Sequence, residues 1–222
     1  MALINDKDAK AVRERLATLP GPVTLAIFTQ EFECEYCRQT RELAEEVAGL
    51  SEGKVTTEVY DLVRDKAKAD RMGIDKIPAL AVLGGKGEDY GIRFFGIPAG
   101  YEFASLLESL EMVARGDSGL DAATREKLKA LPSPVSLQVF VTPTCPYCPR
   151  AVLTAFRFAV ESEKVHASMV EASEFPHLAN KYQVSGVPHT VIGDSSQAMI
   201  GAYPEAAAAD MLVAVAQGMR AT

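Results

Sequence analysis

The four cysteines of the chain fall into two pairs of equal spacing, Cys34-Glu35-Tyr36-Cys37 and Cys145-Pro146-Tyr147-Cys148. A cysteine thiolate is the nucleophile of disulfide exchange, and two thiols three residues apart can close on each other. Each pair follows an apolar run, Val23 to Thr29 or Val135 to Val141, and opens a stretch with apolar residues at helical spacing. Such a strand-to-helix junction sets both sulfurs at a helix N-terminus, where unpaired N–H groups and the helix dipole favour an anion. The expected chemistry is therefore dithiol–disulfide exchange, twice. Zinc is the rival use of four cysteines, because two Cys-x-x-Cys pairs satisfy its ligand count. Structural zinc pairs usually sit within tens of residues of each other on turns, whereas these belong to distant strand-helix junctions. His166 and His177 have no ligand spacing to either pair, and His189, next to Pro188, is read as a strand-surface residue within reach of Cys145.

The elements that must carry these cysteines repeat. Ala11 to Leu25 aligns with Ala123 to Leu137, with about ten of fifteen positions identical or conservative. Met72 to Pro78 then aligns with Tyr182 to Pro188, and Phe95-Gly96 with Ile200-Gly201. A period this long means two copies of one domain, expected over residues 1–115 and 120–222, joined by the short Gly116-Asp117-Ser118-Gly119 linker and packed together. Periodicity predicts helix 6–19, strand 23–29, helix 37–50, strand 55–62, helix 65–72, strands 79–83 and 92–95, and helix 101–113 in the first copy. The second is predicted as helix 121–131, strand 135–141, helix 148–161, strand 165–171, helix 175–182, strands 189–193 and 198–201 around a Gly193-Asp194-Ser195-Ser196 turn, and helix 204–217. Two strand-helix-strand steps imply parallel pairing, and the terminal hairpin adds antiparallel strands. The fold class is α/β: a central mixed sheet flanked by helices, twice over.

Composition excludes several functions. The net charge of −7 and pI near 5.1 argue against nucleic acid or an anionic membrane as a partner. No window approaches the roughly 18 apolar residues of a membrane span. The charges in Met1 to Asp8 stand where a signal peptide needs an apolar core, so a cytoplasmic location is expected.

A strand, a CxxC at a helix start and an Ile-Pro or Val-Pro about 40 residues later resemble the thioredoxin fold. Thr144-Cys-Pro-Tyr-Cys148 with Gly186-Val-Pro188 resembles glutaredoxin, and two such units with intact CxxC sites resemble the protein disulfide oxidoreductase family. The resemblance implies that Cys34 and Cys145, exposed and on the dipole axis, attack a substrate disulfide and that Cys37 and Cys148, more buried, resolve the mixed disulfide. It also implies cis bonds before Pro78 and Pro188, where the residues alone leave cis and trans open. Ile77, Pro78, Val187 and Pro188 would then pair with an extended substrate, and Tyr36 and Tyr147 would line its groove. Thioredoxin's buried strand acid has no counterpart, because Phe28 and Val139 stand six residues before each first cysteine. This tells against a buried-carboxylate proton relay.

Acidic neighbours disfavour a thiolate, so Glu31, Glu33 and Glu35 predict a higher thiol pKa for Cys34 than for Cys145, beside neutral Pro146. The function expected is a cytoplasmic oxidoreductase that reduces, forms or isomerises protein disulfides. Its electron donor would be a thioredoxin-reductase-like flavoprotein, since no nucleotide-binding glycine fingerprint and no cofactor beyond the two disulfides is expected here. The alternatives are an electron-transfer module feeding a peroxiredoxin, and a binding scaffold that uses the surface between the copies.

Overall fold

The computed structural model describes residues 3–30, 32–194 and 197–218. Its elements are α1 (Asp6–Ala17), β1 (Val23–Thr29), α2 (Cys37–Leu50), β2 (Val55–Asp61), α3 (Lys66–Arg71), β3 (Ala79–Gly84), β4 (Asp89–Phe95) and α4 (Glu102–Arg115). They continue as α5 (Ala122–Lys129), β5 (Val135–Val141), α6 (Cys148–Glu161), β6 (Val165–Glu171), α7 (Pro176–Lys181), β7 (His189–Ile192), β8 (Ala198–Ile200) and α8 (Glu205–Ala216). Side-chain caps start two helices: Asn5 accepts from the Asp8 N–H before α1, and Asp121 from the Thr124 N–H before α5. The observed bounds follow the sequence periodicity closely. The exception is β4, which starts at Asp89 rather than Ile92, because a register shift between Ala81 and Leu83 lets Leu83 pair with Asp89. Glu31 and the turn residues Ser195 and Ser196 lie outside the described residues.

Among the described residues the strands form one sheet in the order β2-β1-β3-β4-β6-β5-β7-β8. The two copies do not merely pack together: β4 of the first half pairs in parallel with β6 of the second, from Ile92 opposite Ala167 to Phe95 opposite Val170. Alternation along β1 sorts the core. Val23, Leu25 and Ile27 face a cluster shared with α1, α2, α4, α5, α6 and α8, while Ala26 and Phe28 face a smaller one with Ala69, Ile74 and Phe175. Long helices therefore cover one face and the short α3 and α7 the other. The larger cluster crosses the seam without interruption. There the rings of Phe94 and Phe156 meet edge-on at 5.0 Å, both fully buried. Truncating either to alanine costs about 3–5 kcal/mol.

The pairing directions decide where the chemistry sits. β1 and β4 both run antiparallel to β3, β4 runs parallel to β6, and β5 parallel to β6. β1 and β5 consequently end on the same rim of one sheet, and β3 and β7 begin there. Four strand spacings separate β1 from β5, about 19 Å along the rim.

Candidate active site

Both cysteine pairs are closed as disulfides, Cys34–Cys37 with Cα atoms 5.4 Å apart and Cys145–Cys148 with 5.5 Å. Cys37 and Cys148 are the first residues of the 14-residue helices α2 and α6. Tyr36 and Tyr147 occupy the cap positions without a side-chain cap bond, and neither first turn holds an acid. The positive dipole ends thus remain directed at the sulfurs, although in α6 the Cys148 N–H donates to the Cys145 carbonyl and Pro149 has no N–H to offer. Closed on themselves and spaced along the rim, the four sulfurs do not converge on one metal ion. Among the described residues no three His, Cys, Asp or Glu side chains form a metal-binding group.

Within each pair the second cysteine is the deeper one: Cys37 is 3% exposed and Cys148 fully buried. Cys34 is partly exposed, but Cys145 retains only 7% exposure, so the expectation of two open first cysteines fails for the second site. Its Sγ packs 3.8 Å from the Val187 carbonyl oxygen, and that strand start covers it. The peptide bonds Ile77-Pro78 and Val187-Pro188 are both cis. Pro78 and Pro188 are buried, while Ile77 and Val187 are partly exposed at the starts of β3 and β7. Tyr147 and Phe32 stand 71% exposed and Tyr36 37%, an apolar fringe around the disulfides. A groove of about 530 Å³ passes Cys37, between Thr29, Gln30 and Arg38 on one side and Val59 and Tyr60 of the edge strand on the other.

His189 is not a strand-surface residue. It is 5% exposed, its ring lies edge-on to Phe140 at 6.4 Å, and burial pulls its pKa down, leaving a neutral ring of the core.

Between the two disulfides the rim is built by the segments after β4 and β6. The Gly96 N–H donates to the Pro78 carbonyl and the Tyr101 N–H to the Pro143 carbonyl, just before Cys145. The Ile97 N–H donates to Glu174 Oε1 at 2.7 Å, so the second half's chain reaches behind the first half's cis proline. Two carboxyl groups here escaped the sequence reading. Glu102, the first residue of α4, is 1% exposed, and neither of its carboxyl oxygens has a hydrogen-bond partner. Burial pushes its pKa up to about 7, with the nearby Ser105 hydroxyl opposing. Burial also pushes Glu174 up to about 7; the Ile97 N–H opposes, and the charges of Glu171 and Glu35 add to the rise. Glu35 raises the Tyr36 phenol in turn, with Glu174 and Glu171 contributing. The doubt about a buried-carboxylate relay rested on Phe28 and Val139, both fully buried; the buried carboxyls come from other elements, Glu102 at 1% and Glu171 at 2% exposure. In sequence, Glu102 reads as a dipole-favoured residue at a helix start and Glu174 as a loop acid, and only their partners in the fold mark them out.

The model of the thioredoxin domain matches residues 135–214. A protein disulfide oxidoreductase from Aeropyrum pernix superposes with a TM-score of 0.90 and 31% identity, over 99% of this chain and 96% of that one. The NTD N/C domain of alkyl hydroperoxide reductase AhpF from Enterococcus faecalis superposes with a TM-score of 0.86 and 29% identity, over 94% of this chain and 99% of that one. Among curated sequences, the alkyl hydroperoxide reductase AhpF of Pseudomonas aeruginosa is 27% identical over 159 residues, covering 69% of this chain and 30% of the relative. The chain thus spans about a third of the length of the curated relatives it matches, 31% for the Pseudomonas putida protein.

Proposed function

The chain belongs to the protein disulfide oxidoreductase family, as a thiol–disulfide oxidoreductase with two CxxC sites, and from this premise we propose that both sites exchange disulfides with protein clients. In the reducing direction the Cys34 or Cys145 thiolate attacks a client disulfide, forming a mixed disulfide and releasing one client thiolate. Cys37 or Cys148 then attacks the mixed disulfide, releasing the second thiolate and closing the protein's own disulfide. The client gains two electrons and the CxxC pair loses them. Ile77 and Val187, ahead of Pro78 and Pro188, offer backbone groups to an extended client, and Tyr36 and Tyr147 hold its apolar side chains. The observation that carries this reading is that each disulfide caps a 14-residue helix beside a cis proline.

The units acting in this way are residues 1–115 and 120–222, a division supported by the internal repeat. A cytoplasmic setting suits a dithiol that must be returned to its reduced form, and no described helix is long and apolar enough to cross a membrane. The electron donor we propose is a thioredoxin-reductase-like flavoprotein. The likeness to alkyl hydroperoxide reductase AhpF favours a second reading, in which the electrons pass on to a peroxiredoxin. Redox titration of each pair with the other changed to serine, followed by insulin reduction, tests the proposal: each pair should titrate as a two-electron couple and support turnover. A pair that fails to open with dithiothreitol removes its half from the mechanism.

A further inference from the structure

We propose that Glu174, carried by the second half, is a positioning residue of the first half's disulfide: its carboxylate acts with Glu35 to hold the Cys34 thiol protonated and slow to react. The inference rests on the reading of Cys34 as an attacking thiol. Its ground is a continuous set of contacts across the seam. The Pro78 carbonyl, one peptide past the Ile77-Pro78 cis bond and at the start of β3, accepts from the Gly96 N–H, and the next residue, Ile97, donates to Glu174 Oε1 at 2.7 Å. Gly96 lies so close that a Cβ there would stand 2.6 Å from the Glu171 Cβ and 2.9 Å from Glu174 Oε1. Glu174 Oε2 is buried without a hydrogen-bond partner. Its backbone is held in place, because its own N–H donates to Glu171 Oε2 at 2.7 Å.

The charges acting on Glu174 are Glu171, from the end of β6, and Glu35, from inside the CEYC loop; both are negative. The Tyr36 phenol of the same loop feels Glu35, Glu174 and Glu171 together. A thiolate formed at Cys34 would add a further negative charge to this group, so an ionised Glu174 disfavours it and a protonated Glu174 does not. Proton uptake by the second half therefore eases ionisation of the first half's thiol. At the second site's hairpin, among the described residues, Gly201, the counterpart of Gly96, has no atom within 4 Å of its would-be Cβ.

The test uses the full-length Cys145→Ser/Cys148→Ser protein, reduced with dithiothreitol, and follows alkylation of Cys34 by iodoacetamide from about pH 5 to about pH 9. The expected rate profile rises in two steps, the first reflecting Glu174 near pH 7 and the second the thiol itself. In Glu174→Gln the profile should have one step, with alkylation up to about tenfold faster between about pH 7, where Glu174 is ionised, and the thiol pKa, and unchanged at lower pH, and Glu174→Asp should restore two steps. An unchanged profile in Glu174→Gln overturns the inference. Should that variant fail to fold, exposed Glu35→Gln serves instead. Removal of its like charge must move the Glu174 step to lower pH, and a step that stays put is equally fatal. If the Cys34–Cys37 pair does not open with dithiothreitol, the redox reading itself fails first.

Discussion

The two cysteine sites share one design and differ in what the seam places beside them. Each couples a CxxC at a helix start to a cis proline whose carbonyl accepts from a glycine N–H, Gly96 in one half and Gly201 in the other. The first half's hairpin lies mid-sheet, with β6 against β4, whereas β8 is a three-residue strand at the free edge. The first site thus gains acidic neighbours from the other half, while Cys145 is covered by its own Val187. The helix starts show the same divergence. Glu102 and Glu205 are both the first residue of the helix after the hairpin, yet Glu102 is buried and unpaired, and Glu205 lies 3.8 Å from Arg157. Two copies of one unit therefore acquire different surroundings from their position in a shared sheet, without change in the reacting atoms.

The sharpest break of the comparison is to silence one site. Cys34→Ser should abolish exchange at the first pair and leave Cys145–Cys148 titrating normally, with the converse for Cys145→Ser, as read by mass-resolved alkylation in redox buffers. If either substitution disables both pairs, the sites are not separate.

The next effect falls on the seam. Gly96 and Gly201 have nearly equal φ, +94° and +93°, so an alanine pays similar backbone strain at both, about 1–2 kcal/mol. Gly96→Ala must also displace Glu171 and Glu174 and should lose about 4 kcal/mol in urea unfolding. Gly201→Ala, with open space around it, should lose only the strain. Equal losses would mean that the seam yields freely.

Burial of Glu102 predicts the third effect. Its folded pKa, about 7, lies above the ordinary 4.5, so the folded state binds the extra proton and stability falls as pH rises from about 4.5 through 7. Ionisation costs about 3 kcal/mol. Glu102→Gln should flatten that decline, whereas Glu205→Gln, which loses only a partly exposed ion pair, should change stability by less than about 1 kcal/mol. Urea midpoints measured across this pH range decide it.

The smallest effect concerns client contacts. Tyr147 is about twice as exposed as Tyr36, 71% against 37%. Tyr147→Ala should raise the KM for a protein client roughly fivefold, with kcat little changed, and Tyr36→Ala less.

Most of the site was legible in the sequence because it is local. The CxxC spacing, the apolar strand before it and the helix after it lie within about 30 residues, and the boundaries of β1, α2, β5, α6 and β6 match their periodicity. The internal repeat supplied the rest of the topology. What escaped is non-local. Nothing in Ile92 to Phe95 states that its free side will meet Ala167 to Val170, because a buried strand is apolar whichever neighbour it takes. Glu102, Glu174 and His189 escaped for the same reason: their burial depends on segments up to 77 residues away, as with Ile97 and Glu174.

The common direction of β1 and β5 has a further consequence for traffic between the disulfides. A flexible polypeptide of about a dozen residues has a mean span near 19 Å, the distance along the rim. Under the proposed exchange with protein clients, a client anchored at one sulfur presents a second cysteine to the other without dissociating, and the local concentration set by its tether replaces a second encounter in solution.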